Sequence, residues 1–179
     1  MTRVLGAIIA GGRSSRFGSD KALATIGGRA LIDRVADAVE PQVDALIVVG
    51  RTHPGLEAVP DRPAPDLGPL GGIAAALHHA CAEGFTHVLT VPCDTPFVPG
   101  DLRARLAAAG PAAYLPDLPV VGLWPIDANT TLRTMLHGDG SRSVRAFADW
   151  IGAEPVTGAG EIANVNTPGD LARISAQRD

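Results

Sequence analysis

Short runs of nearly unbroken apolar residues, separated by segments of helical periodicity, constrain the fold of this chain more than any other feature. Runs at residues 4–10, 45–49 and 87–91 are apolar almost throughout, which is typical of strands buried on both faces of a parallel sheet. Weaker patterns predict strands at residues 57–59 and 120–124. Apolar spacing and capping signals predict helices over residues 30–39, 70–81, 101–109, 128–136, 143–150 and 168–176.

The alternation of strands and helices determines the expected architecture. Consecutive parallel strands need helical crossovers, so the predicted fold class is α/β, with three layers and a mostly parallel sheet between the helices. A length of 179 residues suits one domain, which we expect to span residues 1–179. The Pro-rich stretch at residues 111–119 is the nearest candidate for a boundary, and none is predicted there.

Composition excludes several classes of function. A hydrophobic fraction of 46% argues against intrinsic disorder. The 15 Lys and Arg against 19 Asp and Glu give a net charge of −4, and aromatic residues make up 4%, so no nucleic-acid partner is expected. No apolar run reaches the roughly 18 residues of a membrane span, so no membrane partner is expected either. Cys81 and Cys93 form no disulfide framework or zinc motif, and we expect a cytoplasmic protein.

The loop after the first strand carries glycines and three cations: Arg13, Arg16 and Lys21. Its glycines stand at positions 11, 12 and 18, which fits neither the Rossmann pattern nor the P-loop pattern. Glycine loops at strand ends present backbone N–H groups to phosphates, and Arg and Lys neutralise phosphate charge. A solvated surface loop is the alternative. The place of the loop at the carboxyl end of a strand favours phosphate binding.

Asp94 directly follows the third strand, so we expect it at the same sheet edge as the glycine loop. A carboxylate that faces phosphates requires a cation between them, and Mg²⁺ takes one or two carboxylates together with phosphate oxygens. Capping of a turn by the sequence Asp-Thr-Pro is the alternative role for Asp94. Because the cationic loop is expected beside it, the sequence favours a metal site. Cys93, with no catalytic partners readable around it, is predicted to be structural.

Three segments resemble one family. Residues 9–22 read Ile-Ala-Gly-Gly-Arg-Ser-Ser-Arg-Phe-Gly-Ser-Asp-Lys-Ala, residues 92–97 read Pro-Cys-Asp-Thr-Pro-Phe, and residues 164–168 read Asn-Val-Asn-Thr-Pro. They are similar to the signatures of nucleotidyltransferases with the Rossmann-like nucleotide-diphospho-sugar transferase fold. Within these, the chain most resembles the molybdenum cofactor guanylyltransferases, since the cytidylyl relatives usually carry Ala-Ala-Gly in place of the double glycine.

The resemblance implies a reaction in which GMP passes from GTP to Mo-molybdopterin and pyrophosphate leaves. It implies catalytic roles for Arg16, Lys21 and Asp94, with Mg²⁺ held by Asp94. The implied nucleotide contacts are Ile9, Ala10, Gly11, Gly12, Lys21, Asp61, Gly71 and Asp94. Asn164 and Asn166 are the implied pterin contacts. Gly50 stands where the family often has an Asn that touches the nucleotide, so that contact is lost or made by backbone.

Two alternatives stay open at this point. One is a cytidylyl or sugar-phosphate nucleotidyltransferase of the same fold, and the other is a non-enzymatic GTP-binding protein that delivers the cofactor. For the guanylyltransferase, the expected partners are GTP and Mo-molybdopterin as substrates. Transient contact with cofactor-insertion proteins or apo-molybdoenzymes is also expected, and the chain is expected to be a monomer.

Overall fold

The computed structural model describes residues 1–11, 21–65, 67–138, 141–158, 162, 165, 169 and 170, with Lys21 described by its backbone. These residues form a seven-stranded sheet and a separate two-stranded hairpin. The sheet strands are β1 (Val4–Ile9), β4 (Ala45–Val49), β5 (Glu57–Val59), β6 (His87–Pro92), β7 (Ala113–Leu115), β8 (Leu118–Pro125) and β9 (Glu154–Pro155). The hairpin consists of β2 (Thr25–Ile26) and β3 (Arg29–Ala30).

The strand order in the sheet is β5-β4-β1-β6-β8-β7-β9. Strands β5, β4, β1 and β6 pair in parallel, whereas β8 runs antiparallel to both of its neighbours. A two-residue connection joins β7 to β8, which is too short for a parallel crossover. Because β5, β4, β1 and β6 pair in parallel, the predicted mostly parallel α/β sheet is confirmed. The five predicted strands are confirmed as well.

Four strands of the structure were not predicted from the sequence: β2, β3, β7 and β9. β2 and β3 are two residues each, joined by Gly27 and Gly28 with φ values of +57° and +75°, a turn suited to a tight hairpin. β7 lies inside the Pro-rich stretch, and β9 contains two residues. Such short strands carry no apolar periodicity by which a sequence reading finds them.

The described residues contain five α-helices. They are α1 (Leu31–Val39), α2 (Pro69–Ala82), α3 (Leu102–Ala109), α4 (Ala128–His137) and α5 (Val144–Ile151). The first five helices in the predicted set are thus confirmed. Of the helix predicted over residues 168–176, only residues 169 and 170 are described, and both are helical. The expected capping bond from Asp101 is not made, and its carboxylate pairs instead with Arg105 Nε at 2.8 Å.

The helices cover two opposite faces of the sheet. Side chains of β1 alternate between two hydrophobic clusters: Leu5, Ala7 and Ile9 lie in one, and Val4 and Ile8 lie in the other. The first cluster also contains residues of α2, α4 and α5, and the second contains residues of α1 and α3. The three predicted layers are present, with β1 and β6 at the centre.

Candidate active site

The carboxyl ends of β4, β1 and β6 meet at one edge of the sheet. Ile9 at the end of β1 pairs with Val49 on one side and with Pro92 on the other. Two backbone hydrogen bonds hold the chain just beyond these ends: Ala10 N–H donates to the Val49 carbonyl at 2.9 Å, and Cys93 N–H donates to the Ile9 carbonyl at 3.0 Å. The loops that begin at Gly11, Gly50 and Cys93 therefore leave the sheet side by side, which is where open α/β sheets bind ligands.

Gly11 and Gly50 are in direct backbone contact at this edge. A Cβ atom built on Gly50 would lie 2.5 Å from the Gly11 Cα atom and 2.7 Å from the Gly11 nitrogen. The φ value of Gly50 is +84°, a backbone conformation that glycine adopts without strain. Because no side chain intervenes, the two loops form a continuous stretch of exposed backbone.

Asp61 lies against this backbone contact. Its Oδ2 atom would be 2.8 Å from a Cβ on Gly11, and its Oδ1 atom would be 3.4 Å from one on Gly50. The start of α2 closes the corner, where a Cβ on Gly72 would lie 3.6 Å from Asp61 Oδ1. We call the set of Gly11, Gly50, Asp61 and Gly72 the glycine corner. A carboxylate thus lies among three residues that have no side chain.

Gly71 lies beside the same carboxylate, and both of its backbone polar groups are used. Its N–H donates to the Gly68 carbonyl at 3.1 Å, and its carbonyl accepts from Arg62 N–H at 3.2 Å. The second bond fixes the residue after Asp61 against the first turn of α2. Ala10 likewise has its N–H engaged by Val49. The predicted nucleotide contacts from Ala10 and Gly71 would therefore not use the N–H group of either residue.

Asp94 lies on the other side of the β1 end, in a tight turn directly after β6. Thr95 N–H donates to the Pro92 carbonyl at 3.3 Å, and Val165 N–H donates to the Asp94 carbonyl at 2.9 Å. Thr95 is fully buried and the Asp94 Oδ1 atom is buried as well. Since Cys93 N–H bonds to the Ile9 carbonyl, this turn places the Asp94 backbone next to the end of β1.

The model brings six of the predicted site residues to this one edge. They are Ile9, Ala10, Gly11, Asp61, Gly71 and Asp94. Gly12 and Arg16 lie outside the described residues, as does the side chain of Lys21. The backbone of Lys21 begins a short 3₁₀ turn, and the next residue, Ala22, is buried in the cluster that contains Ile8.

Asn164 and Asn166 also lie outside the described residues, but Val165 between them is described. Its side chain is completely buried with Ile26 and Leu31, and Phe97 packs against the same cluster. Together with the bond from Val165 N–H to the Asp94 carbonyl, this packing places the Val165 position beside the Asp94 turn. The pterin contacts implied for Asn164 and Asn166 stay a prediction.

Gly50 and Gly72 are site residues whose structural role the sequence analysis missed. Gly50 was interpreted only as the place of a nucleotide contact that is lost or made by backbone. The signal that could have identified both is their position. Gly50 follows a strand directly and Gly72 lies near the start of a helix, and a glycine at such a position allows another segment of backbone or a side chain to pack closely. Cys93 is half-buried and is not in a disulfide bond, and its structural role stays a prediction.

The described residues at this edge offer only some of the ligands that a Mg²⁺ ion needs. Asp94 offers carboxylate oxygen, which is the ligand type that Mg²⁺ prefers. Among the described residues there is no group of three His, Cys, Asp or Glu side chains that would hold a metal ion. The residues present therefore fit an ion that takes most of its ligands from a bound phosphate compound and from water.

Fold and site together define an α/β protein whose candidate site lies at the carboxyl ends of parallel strands, the edge at which such sheets bind ligands. The family model for the MobA-like NTP transferase domain matches residues 6–150. The chain belongs to the MobA-like NTP transferase family, and it is a nucleotidyltransferase. No helix among the described residues is long and apolar enough to cross a bilayer.

Curated relatives agree with this assignment, and one solved structure shares the fold. The molybdenum cofactor guanylyltransferase of Sinorhizobium fredii is 40% identical over 189 residues, which cover 92% of this chain and 87% of the relative. The protein of the same name from Rhodobacter capsulatus is 37% identical, with 96% and 94% covered. The structure of molybdopterin-guanine dinucleotide biosynthesis protein A from Archaeoglobus fulgidus has a TM-score of 0.75 at 24% identity, with 97% of both chains covered, and it shows the shared fold.

Proposed function

We propose that this chain is a molybdenum cofactor guanylyltransferase, which transfers GMP from GTP to Mo-molybdopterin and releases pyrophosphate. The observation that carries the proposal is the meeting of side-chain-free backbone, the Asp61 carboxylate and the Asp94 turn at the end of β1. The names of the relatives at 37% and 40% identity support guanylyl transfer over the cytidylyl and sugar-phosphate alternatives. They also support an enzyme over a delivery protein without activity.

The proposed reaction joins two phosphate groups. The terminal phosphate of molybdopterin attacks the α-phosphorus of GTP, the bond between the α- and β-phosphates breaks, and pyrophosphate leaves with the electron pair. Since the attacking phosphate is already an anion, no general base is needed. Catalysis then depends on alignment of the two phosphates and on neutralisation of their charge.

Each part of the site has a proposed role in this alignment. The backbone at Gly11 and Gly12 contacts the phosphates, and Arg16 and Lys21 neutralise their charge in the transition state. Ile9, Ala10, Asp61 and Gly71 contact the rest of the nucleotide. Asn164 and Asn166 contact the pterin, which is supported by the position of Val165 beside the Asp94 turn.

We propose that Asp94 holds Mg²⁺. When bound, the ion would polarise the α-phosphate and offset the charge that gathers on the pyrophosphate. The turn after β6 supports this role, because its backbone bonds place Asp94 beside the end of β1, where Gly11 begins the phosphate-contacting loop. The chain's own contribution is thus one oriented carboxylate.

The proposed reaction is tested by product mass. Purified protein is incubated with Mg²⁺, Mo-molybdopterin and one of GTP, CTP, UTP or ATP, and the product is identified by mass spectrometry. The expected product is the guanine dinucleotide, formed only with GTP. A preference for CTP would support the cytidylyl alternative, and GTP binding without pyrophosphate release would support the delivery protein.

The proposed roles of Asp94 and Lys21 are tested by substitution. Asp94→Ala and Lys21→Ala should each lower turnover by about 10²–10³ while the protein stays folded, because each removes a group that stabilises charge in the transition state. Glu83→Ala is the matched control, since Glu83 is an exposed carboxylate in the α2–β6 connection, at the opposite edge of the sheet. Pyrophosphate release from either site variant at the control rate would contradict the assignment.

We propose that the enzyme works in the cytoplasm as a monomer. It would hand its product on through transient contact with cofactor-insertion proteins or apo-molybdoenzymes. Sedimentation of the purified protein at micromolar concentration tests the first part, since a stable dimer would contradict it.

A further inference from the structure

The glycine corner contains a contact between two backbone segments that belong to different loops. Gly11 opens the loop after β1, and Gly50 opens the loop after β4. Carbon contacts in proteins ordinarily begin near 3.4 Å, whereas a Cβ on Gly50 would lie 2.5 Å from the Gly11 Cα atom. A side chain at position 50 would therefore force one of the two loops to move by about 1 Å.

The chain on both sides of this contact is fixed by the sheet, so the contact has little freedom to relax. Gly50 N–H donates to the Val59 carbonyl at 2.9 Å, and Ala10 N–H donates to the Val49 carbonyl at 2.9 Å. Gly11 is the first residue beyond these bonds on its strand. A displacement caused by a side chain at position 50 would therefore pass into Gly11 and the loop that follows it, rather than into the sheet.

The two other members of the glycine corner, Asp61 and Gly72, limit the movement of Gly11 in other directions. Asp61 Oδ2 would lie 2.8 Å from a Cβ on Gly11, so the carboxylate packs against Gly11 from the side of the α2 loop. A Cβ on Gly72 would meet Ile9 Cγ2 at 2.9 Å, so the start of α2 touches the last residue of β1. Gly11 thus packs against Gly50 and Asp61. It directly follows the end of β1, which is in contact with the start of α2.

From this packing we infer that Gly50 is a positioning residue for nucleotide binding: its lack of a side chain sets the height of the Gly11 backbone above the sheet. The inference rests on the proposed function, in which that backbone contacts the phosphates of GTP. Gly50 acts through Gly11 and does not itself need to touch the nucleotide. Misplacement of a binding group by about 1 Å can cost roughly 10²-fold in rate.

The test compares Gly50→Ala with Gly55→Ala. Both glycines have positive φ values, +84° and +82°, so alanine pays a similar backbone strain at both positions. A Cβ on Gly55 would have no atom within 4 Å, and the residue lies in the exposed β4–β5 connection. The pair therefore separates the contact with Gly11 from the general cost of replacing a left-handed glycine.

Steady-state kinetics with GTP and Mo-molybdopterin provide the readout, together with the thermal midpoint of each variant. Gly50→Ala should raise KM for GTP and lower kcat/KM for GTP by about 10- to 100-fold relative to Gly55→Ala. The kinetics are compared below both thermal midpoints, of which that of Gly50→Ala should be the lower because its Cβ meets backbone. KM for the pterin should not change. Equal kcat/KM values for GTP in the two variants would overturn the inference.

Gly72→Ala covers the case in which Gly50→Ala does not fold. Its Cβ would press on the Ile9 Cγ2 methyl, a branch methyl close to the Ile9 backbone, so the end of β1 would shift slightly. Alanine favours the helix more than glycine does. We expect a folded protein whose KM for GTP rises severalfold through displacement of the β1 end. A wild-type KM for GTP in that variant, with Gly50→Ala unfolded, would also overturn the inference. If the wild-type protein itself shows no GTP-dependent pyrophosphate release, the proposed function fails.

Discussion

Thr90 provides a sharp test of how the central strand β6 is held. It is fully buried and lies opposite Gly122 of β8. Its hydroxyl donates to the Val120 carbonyl and accepts a 2.8 Å hydrogen bond from Trp124 Nε1, whose indole is also fully buried. Thr90→Val keeps the shape of the side chain but removes the hydroxyl. The loss of one neutral hydrogen bond costs about 1 kcal/mol, and a buried N–H without a partner costs about 1–3 kcal/mol more.

The expected destabilisation for Thr90→Val is therefore about 2–4 kcal/mol. For a domain of this size that corresponds to a fall of roughly 5–15 °C in the thermal midpoint. Thr90→Ser is the matched control, because it keeps the hydroxyl and removes one buried methyl, at a cost of about 1 kcal/mol. Urea unfolding followed by far-UV circular dichroism measures both free energies. If Thr90→Val is as stable as Thr90→Ser, the hydroxyl does not carry the stability assigned to it.

Three further outcomes are expected. Gly122→Ala should cost about 1–3 kcal/mol or prevent folding, since its Cβ would meet the Trp124 ring at 2.2 Å; urea unfolding measures this, and wild-type stability would contradict the packing. Ser143→Ala should cost about 1 kcal/mol by the same assay, because Ser143 Oγ accepts the Ala146 N–H at 3.1 Å at the start of α5; no change would mean that the cap is dispensable. Burial lowers the pKa of His87 below 6.5, so the folded state binds fewer protons and its stability should fall as pH drops below about 6.5. His87→Gln should flatten that decline in unfolding experiments between pH 7 and 5, and an unchanged slope would contradict the effect.

The layers of the fold could be predicted because the strongest signals were local. β1, β4 and β6 are apolar on both faces, so their sequences alone indicate central strands. β8 was expected only over residues 120–124 and proved longer, at Leu118–Pro125. Its partner β7 was missed, because three buried residues between prolines carry no period-2 signal.

The candidate site was predictable to a similar extent, and for a related reason. Gly11 and Asp94 follow buried parallel strands, so the rule that ligands bind at strand ends brings them together. The same rule does not reveal that Gly50 touches Gly11. That contact depends on the distance between two loops that are 39 positions apart in the sequence. The spacing of residues along the sequence does not predict this distance, which depends on how the strands pair in the sheet.

The most direct test of the proposed reaction uses GTP labelled at a chosen phosphate. Wild-type protein is incubated with Mg²⁺, Mo-molybdopterin and GTP that carries ³²P at either the α- or the γ-position, and the products are separated by chromatography. Attack at the α-phosphorus predicts that α-label enters the dinucleotide and that γ-label leaves as pyrophosphate. Release of γ-label as inorganic phosphate, or absence of α-label from the pterin product, would contradict guanylyl transfer by this chain.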